Sequence, residues 1–110
     1  MNAGPSVEDT VVQIDEGSPL NKVGGSTIVD SPVGKVIIVR TGETTFAAFS
    51  AICTHKRGTV EYDPAKKRFE CPKHHSKFDV KDGSVLDGPA EDPLPKYSAH
   101  GDAKSVTVST

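Results

Sequence analysis

The sequence predicts a small all-β protein, and three features carry that prediction. Short runs rich in Val, Ile and Thr recur along the 110 residues, and such residues suit the pleated surface of a strand. Gly, Pro, Asn, Asp and Ser interrupt the runs at short intervals, as tight turns require. No window longer than a turn or two places apolar residues at helical spacing. Many short strands joined by turns describe a sandwich or barrel of antiparallel sheets.

The elements follow in order. Residues 1 to about 9 read as a flexible lead-in, and residues 10–14, TVVQI, predict the first strand. Residues 16–25 hold Gly, Pro, Ser and Asn and predict a loop. The strongest strand is 35–40, KVIIVR, with four consecutive β-branched apolar residues. Thr41-Gly42-Glu43 fits a hairpin turn, and 45–50 returns as the second strand. Residues 59–62 form a short alternating strand. Residues 63–67 are a turn bent by Pro64, and 68–70 runs back. Residues 77–80 and 83–86 make a hairpin around Lys81-Asp82. Residues 90–95 are extended and hold Pro93 and Pro95. Residues 97–99 and 105–108 close the chain as a hairpin around His100-Gly101-Asp102. There is no internal repeat.

Length and composition narrow the function. A chain of 110 residues is one domain, 1–110, with room for one modest core. A quarter of the residues are charged and the formal net charge is −2, which gives no reason to expect nucleic acid or a membrane surface as partner. No apolar run is long enough to span a bilayer. The start, Met1-Asn-Ala-Gly-Pro-Ser6, has neither a basic flank nor an apolar core, so it does not read as a signal peptide. The expected location is soluble, cytoplasmic as written, and periplasmic if a leader or anchor has been removed.

The chemistry sits in two boxes. Cys53-Thr-His55 is followed, eighteen residues after its cysteine, by Cys71-Pro-Lys-His74, and these are the chain's two cysteines. Two thiolates and two imidazoles make a complete four-ligand set for a metal centre. A zinc ion accepts Cys2His2 ligation, but zinc motifs usually pair cysteine with cysteine and histidine with histidine. Here each box carries one of each. The alternative is a two-iron, two-sulfide cluster with both thiolates on one iron and both imidazoles on the other. Two buried structural cysteines beside two surface histidines would need both boxes to arise by accident.

With fifteen residues between His55 and Cys71, the pattern resembles the Rieske family signature. Cys53-Thr-His-Lys-Arg-Gly58 is similar to a Rieske first box, and Cys71-Pro-Lys-His-His-Ser-Lys-Phe-Asp79 to a second. Asp82-Gly83 resembles the turn that follows it. Gly88-Pro89-Ala90 and Pro93-Leu-Pro95 resemble the family's proline loop and exit strand. The likeness runs from about Lys35 to Tyr97. It implies the Rieske fold, three stacked antiparallel sheets with a cluster-binding subdomain at one tip, here about 51–90, and the rest as base. It implies one [2Fe-2S] cluster per chain, bound by Cys53, His55, Cys71 and His74.

The chain departs from the pattern in places. Quinol-oxidising members usually carry a second cysteine in each box, and these pair as a disulfide; Gly58 and Lys73 stand there instead. Arg57 and His75 occupy positions where the family often has glycine. Ser76 is kept, and in the high-potential branch such a serine donates a hydrogen bond to a cluster sulfide. Phe78 replaces that branch's tyrosine. Neutral imidazoles in place of two thiolates remove negative charge, which implies a potential in the family range of about −150 to +300 mV. The missing disulfide and tyrosine argue against the top of that range, and Ser76 with nearby cations against the bottom.

Charge is uneven along the chain. Eight basic and four acidic residues lie between Cys53 and Lys81, against five basic and eleven acidic elsewhere. Lys56, Arg57, Lys73 and Lys77 sit in or beside the boxes, and a positive tip would steer an acidic redox partner. The run Lys66-Lys67-Arg68 reads as a solvated turn. His75 and His100 read as exposed residues without a direct role. Ser50 has no partners for a nucleophilic triad, and no glycine loop suits a phosphate. The leading function is therefore one-electron transfer, as a ferredoxin-like carrier or the redox domain of a larger complex, and not catalysis. Its partners would be a reductase donor and an oxygenase, oxidase or respiratory acceptor. An oxygenase needs a further mononuclear iron on another large domain, which this chain has no room for. A zinc-stabilised Cys2His2 binding module without redox activity is the alternative.

Overall fold

The computed structural model describes residues 9–54, 58–73 and 75–110; the lead-in expected over residues 1 to about 9 falls, up to residue 8, outside them. The first four strands are β1 (Asp9–Gln13), β2 (Ser26–Ser31), β3 (Gly34–Arg40) and β4 (Phe46–Ser50). Four three-residue strands follow: β5 (Glu61–Asp63), β6 (Arg68–Glu70), β7 (Lys77–Asp79) and β8 (Val85–Asp87). The chain closes on β9 (Lys96–Gly101) and β10 (Ser105–Ser109). The helical content of the described residues is a single 3₁₀ turn at Pro19–Asn21, so the fold is all-β, as expected.

Every strand pairing is antiparallel. One sheet runs β1-β10-β9-β4-β3-β2 and the other β5-β6-β7-β8. Why KVIIVR reads as a continuous apolar run is clear from the packing around β3. Ile37 and Val39, with Ala47 and Phe49 of β4, bury one face against Phe69 and Phe78 of the four-stranded sheet. Val36, Ile38 and Ala48 bury the other face against Val106 and Val108 of β10, with Ile14 and Leu20. A strand covered on both sides has no solvent face on which to alternate. The molecule is thus three layers separated by two cores, with β2-β3-β4 in the middle. The β9 strand joins the middle layer to the third through the pairs Ala48–Tyr97 and Phe49–Lys96.

Several expected boundaries move. Residues 26–31, STIVDS, carried no predicted element. They form β2, the outer strand of the middle layer, paired with β3 from Ser26–Val39 to Ser31–Gly34. The last hairpin also turns later than predicted. His100 belongs to β9 opposite Thr107, and the bend falls at 102–104. There Asp102 Oδ1 accepts from the N–H of Lys104 (2.8 Å) and of Ser105 (3.2 Å). The turn after β5 is built the same way, Asp63 Oδ1 accepting from Ala65 N–H at 3.0 Å.

Two outcomes follow. Phe69 is fully buried and meets the Phe49 ring edge-on, 5.1 Å between centroids. Phe69→Ala should cost about 3–5 kcal/mol in urea unfolding; a loss below 1 kcal/mol would show that this aromatic contact does not hold the two sheets together. The N–H groups of Lys104 and Ser105 hold the Asp102 carboxyl below its usual range. Its contribution to stability is complete above the ordinary carboxylate pKa and disappears as pH falls through the lower folded value. The melting temperatures of the wild type and Asp102→Asn should therefore differ at pH 7, with the gap beginning to close only as pH falls below about 4.

Candidate metal centre

The predicted ligand boxes occupy two loops at one end of the cores. The first follows β4, and the second joins β6 to β7. Both are closed by the same backbone bond. Cys53 N–H donates to the carbonyl of Gly58 at 2.7 Å, and Cys71 N–H to that of Ser76 at 2.9 Å. Each cysteine thus ties itself to the residue five positions on, and each box histidine falls in sequence inside the closed loop. His75 N–H returns to Cys71 O at 2.8 Å, and Val60 N–H to Ala51 O at 2.8 Å. Sequence reading found the parallel between the boxes but not this shared closure, which is a property of carbonyl and amide positions.

The two thiol-bearing residues are brought into one core. Cys53 is 2% and Cys71 1% exposed, and both belong to the cluster of Phe49, Phe69 and Phe78. Gly58 fixes how closely the loops approach. A β-carbon there would stand 2.9 Å from Cys71 Sγ and 3.2 Å from Lys73 Cδ, nearer than side-chain carbons tolerate. So the first loop lies directly on the second cysteine only because residue 58 has no side chain. The Lys73 stem fills the space beside it, which places positions 58 and 73 side by side. His55 and His74, with Lys56 and Arg57, lie outside the described residues.

A third segment straps both loops. Thr54 Oγ1 donates to Asp92 O at 2.7 Å, and Ala90 N–H donates to Ser76 Oγ at 3.0 Å. Ser76 is fully buried, and with its oxygen occupied by Ala90 its hydroxyl proton remains available as a donor. The strap is anchored in turn by Leu94 N–H on Gly83 O at 2.9 Å. Gly83 has φ +80, and a β-carbon there would stand 2.5 Å from Leu94 O, so this turn requires glycine.

Other predicted positions resolve as follows. His75 is exposed, and its backbone lies in the left-handed region at φ 63, which explains why glycine suits that position. Its Nδ1 lies 2.9 Å from Glu70 Oε2, a pairing that spacing alone did not signal. That bond, with Lys77 and Arg68 nearby, holds the Glu70 carboxyl below its usual range. Lys73 is exposed. Lys77 is only partly so: its ammonium donates to His75 O at 3.1 Å and stands 3.7 Å from Asp87. It is thus a less available docking charge than the sequence suggested. Phe78 is fully buried in the core. His100 is exposed, with Nε2 3.2 Å from Ser98 Oγ.

Comparison with known proteins agrees with this arrangement. The sequence matches the Rieske [2Fe-2S] domain over residues 8–98. It is 37% identical over 75 residues to the cytochrome b6-f complex iron-sulfur subunit of Chlorobaculum tepidum, covering 68% of this chain and 40% of that protein. It is 30% identical over 119 aligned positions to the corresponding subunit of Prochlorococcus marinus, 98% of this chain and 65% of that one. The chain thus spans less than two thirds of the length of these relatives. Among solved structures it resembles the plasma-membrane Rieske protein of the cyanobacterium Synechocystis, with TM-score 0.73, 30% identity, and 88% and 97% of the two chains covered. It also resembles the ferredoxin of carbazole 1,9a-dioxygenase from Nocardioides aromaticivorans, with TM-score 0.72, 27% identity, and 90% and 96% covered. Nothing in these relatives supports the zinc module. No helix among the described residues is long and apolar enough to cross a membrane.

The site makes a direct forecast. Gly58→Ala should crowd Cys71 Sγ and lower the iron bound per chain by at least half, while the far-ultraviolet spectrum keeps its β-sheet form. Full iron content in that variant would show that the loops do not depend on this close approach.

Proposed function

Because the chain belongs to the Rieske [2Fe-2S] domain family, we propose that it is a one-electron carrier whose cluster is held by Cys53, His55, Cys71 and His74. The observation that carries the assignment is the pair of identically closed loops meeting at Gly58 against Cys71 Sγ. Residues 51–90 form the cluster-binding part in this reading, and the remaining strands form the base.

The donor set fits such a group. Two buried thiols are costly as isolated thiolates but suited to iron, and the missing side chain at Gly58 keeps the approach open. When bound, the cluster supplies a centre that gains or loses one electron. The protein's part is to hold it still. Backbone closure, the Thr54–Asp92 and Ala90–Ser76 bonds and the sheet beneath leave the loops little freedom to rearrange. At the closure of the second loop Ser76 keeps a buried hydroxyl proton available to donate, which would favour extra negative charge nearby. Neutral imidazole ligands act in the same direction.

The partners are other redox proteins, a reductase-type donor and an oxygenase-type or respiratory acceptor. The basic residues in and beside the two boxes, Lys56, Arg57, Lys73 and Lys77, support an acidic surface on at least one of them. The likeness to an oxygenase ferredoxin over nearly the full length of both chains supports a carrier of about this size. The likeness to iron-sulfur subunits roughly twice as long supports a redox domain within a larger complex.

Cys71→Ala and His55→Ala test the ligand set. Each should give a colourless protein with little iron or acid-labile sulfide and a lower melting temperature, because binding contributes to the order of the loops. A variant of either kind that retains a full complement of iron would overturn the assignment.

A further inference from the structure

At the other end of the cores from the closed loops, the middle layer and the four-stranded sheet part. There β3 ends at Arg40 and β4 begins at Phe46, while the turns at 64–67 and 80–82 cap the short strands opposite. Between them lies a cleft of about 600 Å³, within the range of small-molecule sites. Phe46 and Tyr62 give it aromatic walls, and Arg40, Lys67, Lys81 and Lys96 line it with positive charge. No Asp or Glu is among its lining residues. Asp82, on the neighbouring turn, is engaged by Ser84 N–H at 2.9 Å.

Arg40 carries the argument. It is 8% exposed, and its guanidinium donates to the carbonyls of Leu20 (3.2 Å), Gly42 (3.2 Å) and Glu43. It also stands 5.8 Å over the Phe46 ring. Among the described residues it has no ion pair with a carboxylate. Neutral carbonyls satisfy donors but leave the charge uncompensated, a costly state for a buried cation. Lys96 lines the same cleft, its ammonium on Lys81 O at 2.9 Å and 5.9 Å over the Phe49 ring, and it is near enough to Asp82 to attract that carboxylate. The side chains of Lys67 and Lys81 are exposed at the mouth and make no ion pair among the described residues.

We propose that this cleft binds a small organic anion, an aromatic carboxylate, with its ring against Phe46 and Tyr62 and its charge toward Arg40 and the lysines. A bare inorganic anion would leave the aromatic walls unused, and a neutral ring would leave Arg40 uncompensated. The site is separate from the electron-transfer loops and uses none of the proposed ligands.

Benzoate is the probe. The cluster-loaded chain is titrated calorimetrically with benzoate, with benzyl alcohol and with inorganic phosphate. The proposal expects saturable benzoate binding, with the other two weaker by roughly tenfold or more. The double variant Lys67→Glu, Lys81→Glu should weaken benzoate by about tenfold and leave the visible spectrum of the cluster unchanged. Arg40→Gln should do the same; should it unfold, the lysine pair still decides. Absence of saturable benzoate binding, equal binding of phosphate or benzyl alcohol, or an unaltered double variant would each overturn the proposal. So would a double variant that loses affinity for an acidic redox partner while no benzoate binding is found, since the cleft would then be a protein-docking surface.

Discussion

A hairpin buried on both faces determines the rest of this structure. β3 and β4 place Ile37, Val39 and Phe49 into one core and Val36, Ile38 and Ala48 into another. Once both faces are apolar, two further layers must cover them, one from the short strands β5 to β8 and one from β1, β10 and β9. Neither outer layer has enough apolar area to persist alone. Their docking onto the central pair supplies it. The first closed loop leaves directly from the end of β4, and the second joins two strands packed against it, so both inherit their positions from this hairpin.

That dependence explains the division of labour between side chains and backbone near the site. Side chains anchor the loops: Cys53 and Cys71 sit in the core, and Ser76 receives the strap. Backbone bonds give them shape, since each cysteine N–H reaches the carbonyl five residues ahead. Gly58 contributes by what it lacks. The two ends of each loop are thereby fixed although the loops are polar and short of apolar residues, and an electron carrier benefits from a site that changes little between oxidation states.

How much of this was legible in the sequence depended on the kind of signal. The all-β class was readable because Val, Ile and Thr mark strands wherever they cluster; KVIIVR stood out as the strongest strand, but that both its faces are covered emerged only from the packing. The boxes were readable because metal chemistry constrains residue type and spacing together. β2 was missed because an outer strand with Ile28 partly in solvent has no need of alternation. The turn after β9 was misplaced because His100-Gly101 looked like a bend, whereas the Asp102 carboxylate sets it two residues later. The Glu70–His75 pair and the Thr54–Asp92 strap join residues that no local pattern connects; they exist only once the loops are folded. The uncompensated Arg40 is of the same kind, since its burial comes from the 3₁₀ turn at Leu20 and the β3–β4 turn closing around it.

The central claim is that one end of the molecule holds a two-iron cluster asymmetrically, by two sulfurs and two nitrogens. Pulsed EPR of the reduced protein, with histidine alone labelled by ¹⁵N, tests this most directly. The account predicts strong couplings from two directly bound histidine nitrogens, both lost from the unlabelled pattern and replaced by those of ¹⁵N. A reduced-cluster signal with no strongly coupled histidine nitrogen, or no such signal at all from protein purified under cluster-protecting conditions, would contradict it.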